Sequence, residues 1–215
     1  MIILTCEQGS PEWHAARAGV ITASMFVVAR AKLKSGANKG QPTSAANDYA
    51  FRLAIERISG MPLDEGFETY AMRRGHDLEP AARHEHEVQS GHVVERAGFV
   101  LTEDRLFGAS ADGLIGNDGG SEYKCLISPE RLRDVLINGD FSEFIDQVQG
   151  CMWITGRRWW DFCLYCPALA PVGKELWFRR VERDDAYIDA MVLDLVDFEK
   201  LVTENETILR MKEAA

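Results

Sequence analysis

The stretch Ser110-Ala111-Asp112-Gly113-Leu114-Ile115-Gly116-Asn117-Asp118-Gly119-Gly120-Ser121-Glu122-Tyr123-Lys124 decides how this chain is read. Leu106–Ala111 and Ser121–Leu126 are short, apolar-rich runs bounded by Gly, Asn and Asp. They read as strands, with the turn-rich segment 113–120 connecting them. Alternate residues on a strand face the same side, so Glu122 and Lys124 project together. Asp112 closes the preceding strand, and hairpin pairing brings it beside Glu122. Two carboxylates on adjacent strands form a hard-oxygen site suited to Mg²⁺ or Mn²⁺. The Tyr123 carbonyl offers a further ligand. Lys124 then stands within reach of a metal-bound water, to orient or deprotonate it or to stabilise charge on phosphorus. On spacing alone the pattern also fits a solvent-exposed hairpin carrying scattered charges.

Outward from this stretch the chain alternates helical and extended signals. Ser10-Pro11 starts a short helix, and a second follows Thr22. From Ser44 to Ile58, apolar residues at helical spacing (Ala46, Tyr49, Ala50, Leu53, Ala54) predict a longer helix stopped by Gly60 and Pro62. Another covers roughly Glu68 to Gln89. His92–Leu101 reads as a strand. Helices follow near Pro129–Ile137 and Ser142–Thr155, then two apolar-aromatic strands, Arg158–Cys166 and Lys174–Val181. An acidic helix runs from about Asp184 to Met211. Lys32–Thr43, rich in Gly and Lys, reads as a loop. This order predicts a layered α/β or α+β fold.

The chain has 215 residues, 46% hydrophobic and 27% charged, as in a globular protein. No apolar run is long enough to span a bilayer, and no signal peptide is expected at the N-terminus. The five cysteines are odd in number and irregularly spaced, which fits reduced, structural thiols. The Cys163–Cys166 pair sits in a strand-like aromatic run. His76, His84, His86 and His92 are expected on the surface. The net charge of −10 excludes a protein that coats DNA by bulk charge. That charge is uneven: residues 1–57 carry +3 and residues 58–130 carry −8. A basic region beside a carboxylate-rich one suits an enzyme holding an anion with one part and a metal with the other.

Five blocks occur in one order: Trp13–Ser24 (W-H-x-x-R-x-G-V-I-T-A-S), Gly75–Glu79, Ser110–Leu114, Glu122–Cys125 and Gln147–Thr155 (Q-V-Q-x-x-M-W-x-T). Together they resemble bacteriophage lambda exonuclease and the phage-type (YqaJ-like) recombination exonucleases, within the PD-(D/E)xK nuclease superfamily. The resemblance implies an α/β, restriction-endonuclease-like core with a central mixed sheet flanked by helices. It also implies one nuclease domain over 1–215, with a helical part at about 10–90, a catalytic strand core at about 92–182 and a C-terminal helix at about 184–212. The implied activity is 5′-to-3′ digestion of one strand of linear duplex DNA to mononucleotides, leaving 3′ overhangs for recombination.

By the same resemblance, Asp112 and Glu122 are metal ligands, the Tyr123 carbonyl assists, Lys124 activates the nucleophile, and Glu79 matches a further acidic position. Two Mg²⁺ ions are implied, with Mn²⁺ able to substitute. Helical position alone favours a surface glutamate at 79. Arg17, Ser24, Ser110 and Gln147 match a pocket for the terminal 5′-phosphate, where a guanidinium with hydroxyl and amide donors suits an anion. Without the resemblance, Arg17 reads as a helix-end charge, Ser24 as a cap and Gln147 as a core amide. Lys32, Lys34 and Lys39 match a grip on duplex phosphates or form a solvated basic loop. Met72 matches an apolar wedge at strand separation, or is a core methionine.

The implied partners are 5′-phosphorylated duplex ends, two further copies of the chain in a homotrimeric ring, and a phage single-strand annealing protein. The expected location is the cytoplasm of a bacterial host, for a phage or prophage product. Ala111 and Leu126 replace prolines of the family pattern, and the 32–43 loop aligns only loosely. Two rival readings are a metal-dependent endonuclease or resolvase of the same superfamily, and a non-catalytic DNA-end or recombinase-binding module.

Overall fold

A computed structural model describes residues 1–63 and 69–211. In chain order its strands are β1 (Ile2–Leu4), β2 (Ile21–Thr22), β3 (Val94–Glu95), β4 (Phe99–Leu101), β5 (Phe107–Ala109), β6 (Gly113–Ile115), β7 (Gly119–Lys124), β8 (Trp159–Tyr165) and β9 (Leu176–Glu182). Its α-helices are α1 (Pro11–Arg17), α2 (Phe26–Ala29), α3 (Ser44–Ser59), α4 (Tyr70–Ser90), α5 (Pro129–Leu136), α6 (Ile145–Thr155) and α7 (Asp185–Arg210). Contacts divide the chain into two compact units, one built from residues 1–63, 98–110 and 184–211 and the other from 69–97 and 111–183.

The first unit holds a four-stranded mixed sheet in the order β1-β4-β5-β2, in which only β2 and β5 run parallel. Its helix starts are chemically specified. Ser10 Oγ accepts from the Trp13 N–H with Pro11 in the first turn of α1, and the Thr43 hydroxyl accepts from Ala46 N–H at the head of α3. Val20, Phe99 and Leu101 form a buried cluster against which Ile2, Leu4 and Trp13 pack. Each such side chain taken from water contributes about 1.5–3 kcal/mol. In this unit α3 and α7 pack through a stacked Tyr49–Phe198 pair, rings 5.4 Å apart. Arg57 grips Glu199 with two bonds of 2.7 and 2.8 Å. Glu56 is buried and accepts from Gly19 N–H at 2.8 Å, while Arg57 Nε donates to Gly19 O at 2.8 Å. Gly19 is thereby held from both sides, immediately after the helix that carries Arg17.

The second unit holds a five-stranded mixed sheet in the order β3-β6-β7-β8-β9, with β7 and β8 parallel and the other pairs antiparallel. Gly119 and Gly120 permit this pairing. A Cβ on Gly119 would lie 2.1 Å from the Trp159 ring, and one on Gly120 would lie 2.3 Å from the Trp160 ring. Against this sheet α4 buries Ala82, which joins Tyr123, Cys163 and Leu176.

The mixed α/β architecture agrees with the expectation, but its strands are divided between two mixed sheets. The single strand expected over His92–Leu101 is two, β3 and β4, one in each sheet. The connection expected over 113–120 contains β6 and the start of β7. Its glycines serve close packing as well as turning. The pairs β1 and β2, of three and two residues, lie below the length at which periodicity is readable. The helix read from Ser142 begins with a 3₁₀ turn, Ser142–Phe144, before α6. The expected helix start at Glu68 and helix end at residue 212 lie outside the described residues. All five cysteines are free, as expected.

His86 corrects the surface assignment of the histidines. It is fully buried, with Nδ1 3.0 Å from the Tyr123 hydroxyl and Nε2 3.3 Å from Asp161 Oδ2. His76 and His84 are exposed and His92 half-buried, so the surface reading holds for the first two only. Sequence position could not reveal that the helix face bearing Ala82 and His86 is the one turned to the sheet.

Candidate active site

In the second unit the catalytic candidates cluster on β7 and at the entry to β6. Asp112 lies one residue before β6, and its Oδ2 accepts the backbone N–H of Tyr123 at 2.7 Å. Glu122 is buried in mid-strand. Its Oε1 accepts from Lys124 Nζ at 2.7 Å and from Gln147 Nε2 at 2.6 Å, while Lys124 also donates to Gln147 Oε1 at 3.0 Å. The i, i+2 spacing places the Glu122 and Lys124 side chains on one face, as the strand period requires. Gln147 enters from the first turn of α6, between the buried Asp146 and Val148. Phe144 flanks the ammonium, with the Lys124 nitrogen 5.5 Å from the ring centre.

The electrostatics are those of negative charge crowded into a dry place. Burial pushes the Asp112 carboxyl well above the ordinary carboxylate range. The Glu122 charge adds to this and Glu79 contributes, against the pull of Lys124 and the Tyr123 N–H. Burial draws Lys124 down, but Glu122 and Asp112 together hold it above its ordinary value. Glu122 Oε2 is buried with no hydrogen-bond partner among the described residues. A buried carboxylate oxygen without a donor is costly.

Glu79 pairs with Arg83 one turn along α4. Pro80 follows it inside the helix and has no N–H to return to the preceding turn, so regular helix hydrogen bonding is interrupted beside Glu79. Among the described residues no three His, Cys, Asp or Glu side chains are gathered so as to hold a metal ion. Asp112 and Glu122 do fit one. The orphaned Glu122 oxygen and the mutual repulsion of the two carboxylates are what a divalent cation would relieve, and their oxygens are the donors that Mg²⁺ or Mn²⁺ prefers.

Of the phosphate candidates in the first unit, Arg17 and Ser110 are in direct contact. The Arg17 guanidinium lies 4.1 Å from the Trp13 ring centre and donates to Ser110 Oγ at 3.3 Å. Trp13 Nε1 donates to the same oxygen at 2.8 Å. Burial lowers Arg17 to about 10, against the pull of Tyr49 and Glu56. Ser24 is exposed, its hydroxyl 3.3 Å from that of Thr22. Gln147, assigned to the phosphate from the sequence, belongs to the second unit and bonds Glu122 and Lys124.

Among the DNA-binding candidates, Lys32 is exposed and paired with Asp194 at 2.7 Å. Lys34 and Lys39 are exposed. Met72 is 55% exposed, which removes the core-methionine alternative. The sequence reading missed Trp13 as a contact of Ser110. The only signal was its place at the head of the W-H-x-x-R block.

The fold is that of a phage-type recombination exonuclease. The YqaJ-like viral recombinase domain matches residues 12–158, and the chain belongs to that family. LHK-Exo, an alkaline exonuclease from Laribacter hongkongensis, is 32% identical. The similarity covers 94% of this chain and 97% of that one, with a TM-score of 0.78, and 0.80 for its complex with dAMP. A phage-related exonuclease from Haemophilus somnus 129PT, 17% identical over 90% of this chain and 96% of that one, shares the fold at a TM-score of 0.64. No curated protein matches.

Proposed function

We propose that this chain is a Mg²⁺-dependent exonuclease that digests one strand of linear duplex DNA from the 5′ end, releasing mononucleotides and leaving 3′ overhangs for recombination. One observation carries the reading: a buried, partnerless Glu122 oxygen accompanies Asp112 and Lys124 at β7, in a chain 32% identical to an alkaline exonuclease. That relative's complex with dAMP, a deoxynucleoside monophosphate, agrees with release of mononucleotides.

Asp112, Glu122 and the Tyr123 carbonyl are the residues proposed to hold the metal, with Glu79 as a further carboxylate. Two divalent ions would polarise the phosphate and supply hydroxide at neutral pH. Lys124, kept charged by Glu122 and Asp112, is proposed to hydrogen-bond the attacking water and to offset charge growing on the phosphate oxygens. Gln147 fixes that ammonium through its carbonyl and Glu122 through its amide, so neither side chain has to be ordered during the reaction.

Arg17, Ser24 and Ser110 are proposed to bind the terminal 5′-phosphate, while Gln147, which the resemblance implied for the same phosphate, is proposed to position Glu122 and Lys124. Lys34 and Lys39, and Lys32 when released from Asp194, are proposed to meet duplex phosphates, and Met72 to wedge the strands apart. The two units together make up one nuclease domain in this reading. A homotrimeric ring around DNA would let a chain of charge −10 stay on its substrate by topology. A phage single-strand annealing protein is the proposed partner and the bacterial cytoplasm the proposed location. Among the described residues no helix is long and apolar enough to cross a membrane.

The test is an assay on end-labelled linear duplex and closed circular DNA, with and without Mg²⁺, beside light scattering for the oligomer. Mononucleotide release from linear DNA only, dependent on Mg²⁺, is expected. Cleavage of closed circles would favour an endonuclease, and no release at all would favour a binding module.

A further inference from the structure

We propose that Trp13 is a specificity-determining positioning residue which, with Arg17, fixes the Ser110 hydroxyl as a hydrogen-bond donor to an oxygen of a terminal phosphate. The inference rests on the phosphate-binding reading above and identifies the group that enforces it.

The argument is one of hydrogen-bond capacity. A serine hydroxyl has two acceptor lone pairs and a single O–H. Trp13 Nε1 enters Ser110 Oγ at 2.8 Å and Arg17 Nη1 enters it at 3.3 Å. Both are donors that accept nothing, so the two lone pairs are taken and the O–H must point elsewhere. Among the described residues Ser110 has no acceptor for that proton. The ligand that completes the group therefore has to present an acceptor, and an anionic oxygen makes the stronger bond.

Arg17 points to the same ligand. It makes no ion pair among the described residues, although burial has stripped it of much of its water. Its one hydrogen bond among the described residues is the weak one to Ser110, which leaves most of its fork for an anion. The Trp13 ring lies 4.1 Å from the guanidinium carbon, so one indole holds both donors: the cation by its face and the serine by its N–H. Trp13 is itself anchored. Its backbone N–H donates to the Ser10 cap, and its ring packs on the Val20, Phe99 and Leu101 cluster.

A tryptophan present only to fill the core would need no N–H partner at this serine. Trp13→Phe separates the two roles, because it keeps an aromatic face for Arg17 and removes only the N–H. The experiment measures binding of duplexes bearing a 5′-phosphate or a 5′-hydroxyl, by fluorescence anisotropy in EDTA, where no hydrolysis occurs. The wild type is expected to prefer the phosphorylated end. Ser110→Ala should reduce that preference by about tenfold, the value of one hydrogen bond to a charged acceptor. Trp13→Phe should reduce it by about three- to tenfold while leaving affinity for the hydroxyl end unchanged.

A Trp13→Phe protein with the wild-type ratio would overturn the proposal, as would one that loses both affinities equally. Should Trp13→Phe not fold, Ser110→Ala carries the test, and an unchanged ratio there overturns it as well. A wild type without preference also overturns it, yet leaves the exonuclease reading standing if Mg²⁺ releases mononucleotides. Preference without such release would sink the exonuclease reading alone.

Discussion

Tyr123 donates its backbone N–H to Asp112 Oδ2 at 2.7 Å, so a side chain from the entry to β6 takes the place of a neighbouring strand beyond the last paired residues of the hairpin, Gly113 and Ser121. The same bond ties a candidate metal carboxylate to the backbone between Glu122 and Lys124. Asp112→Asn keeps the shape and an acceptor for Tyr123 but removes one of two like charges whose proximity is unfavourable without a cation. The variant should fold as well as the wild type, fail to bind Mn²⁺ in a calorimetric titration, and release no mononucleotides. Wild-type Mn²⁺ affinity in this variant would disprove the ligand assignment.

Lys124 is held by Glu122 and Gln147 at 2.7 and 3.0 Å, an arrangement that orients an ammonium rather than hides it. Lys124→Ala should leave duplex binding in EDTA within a factor of two or so and lower turnover by about 10²–10⁴-fold, the range for losing a positioned proton or charge-stabilising group. Single-turnover kinetics on saturating DNA would check this. Turnover near the wild-type rate would remove Lys124 from the reaction.

The strand-borne site was legible in the sequence for a simple reason. Asp112, Glu122 and Lys124 are related by strand periodicity and a short hairpin, both local properties of the chain. The Glu122–Gln147 and Trp13–Ser110 bonds are not local: they join residues 25 and 97 positions apart, and nothing in either segment marks the partner. His86 failed for the opposite reason. Its α4 has charged residues on most faces, so the pattern does not reveal which side meets the sheet. The helix boundaries at Ser44, Pro129 and Asp184 were readable because a cap or a first-turn proline announces each one. The strands β1 and β2 were not, since two or three residues carry no period.

Gly120 faces the Trp160 ring so closely that an added Cβ would sit 2.3 Å from it, and Trp160 is fully buried with no room to turn. Gly120→Ala should therefore destabilise the protein by about 1–3 kcal/mol, as overpacking of a rigid core does. Because β7 carries Glu122 and Lys124, turnover should fall as well at temperatures where the variant is still folded. Urea denaturation checks the first expectation and a rate measured well below the unfolding midpoint checks the second. An unchanged midpoint would mean that β7 and β8 are not packed as closely as described.

Asp161 is buried in β8, opposite Arg180 of β9, which donates to it through Nε at 2.9 Å and through Nη2 at 3.0 Å, while His86 Nε2 lies 3.3 Å away. Burial alone would raise this carboxyl, but the neighbouring His86 ring and the bonds from Arg180 outweigh it and hold it below the ordinary value of 3.8. A carboxyl depressed in the folded state binds fewer protons folded than unfolded. Its contribution to stability is then complete above its ordinary value and is lost as the pH falls through the folded one. Asp161→Asn should cost about 2 kcal/mol at neutral pH, given that Arg180 is 41% exposed and regains water when its partner is neutralised. The gap in unfolding free energy between wild type and variant should stay constant from about pH 7 down to about pH 4 and narrow below that, as linkage requires. Urea titrations at a series of pH values measure it directly. A gap that widens in acid, or one already closing near pH 6, would show that Asp161 is not held ionised by these two partners.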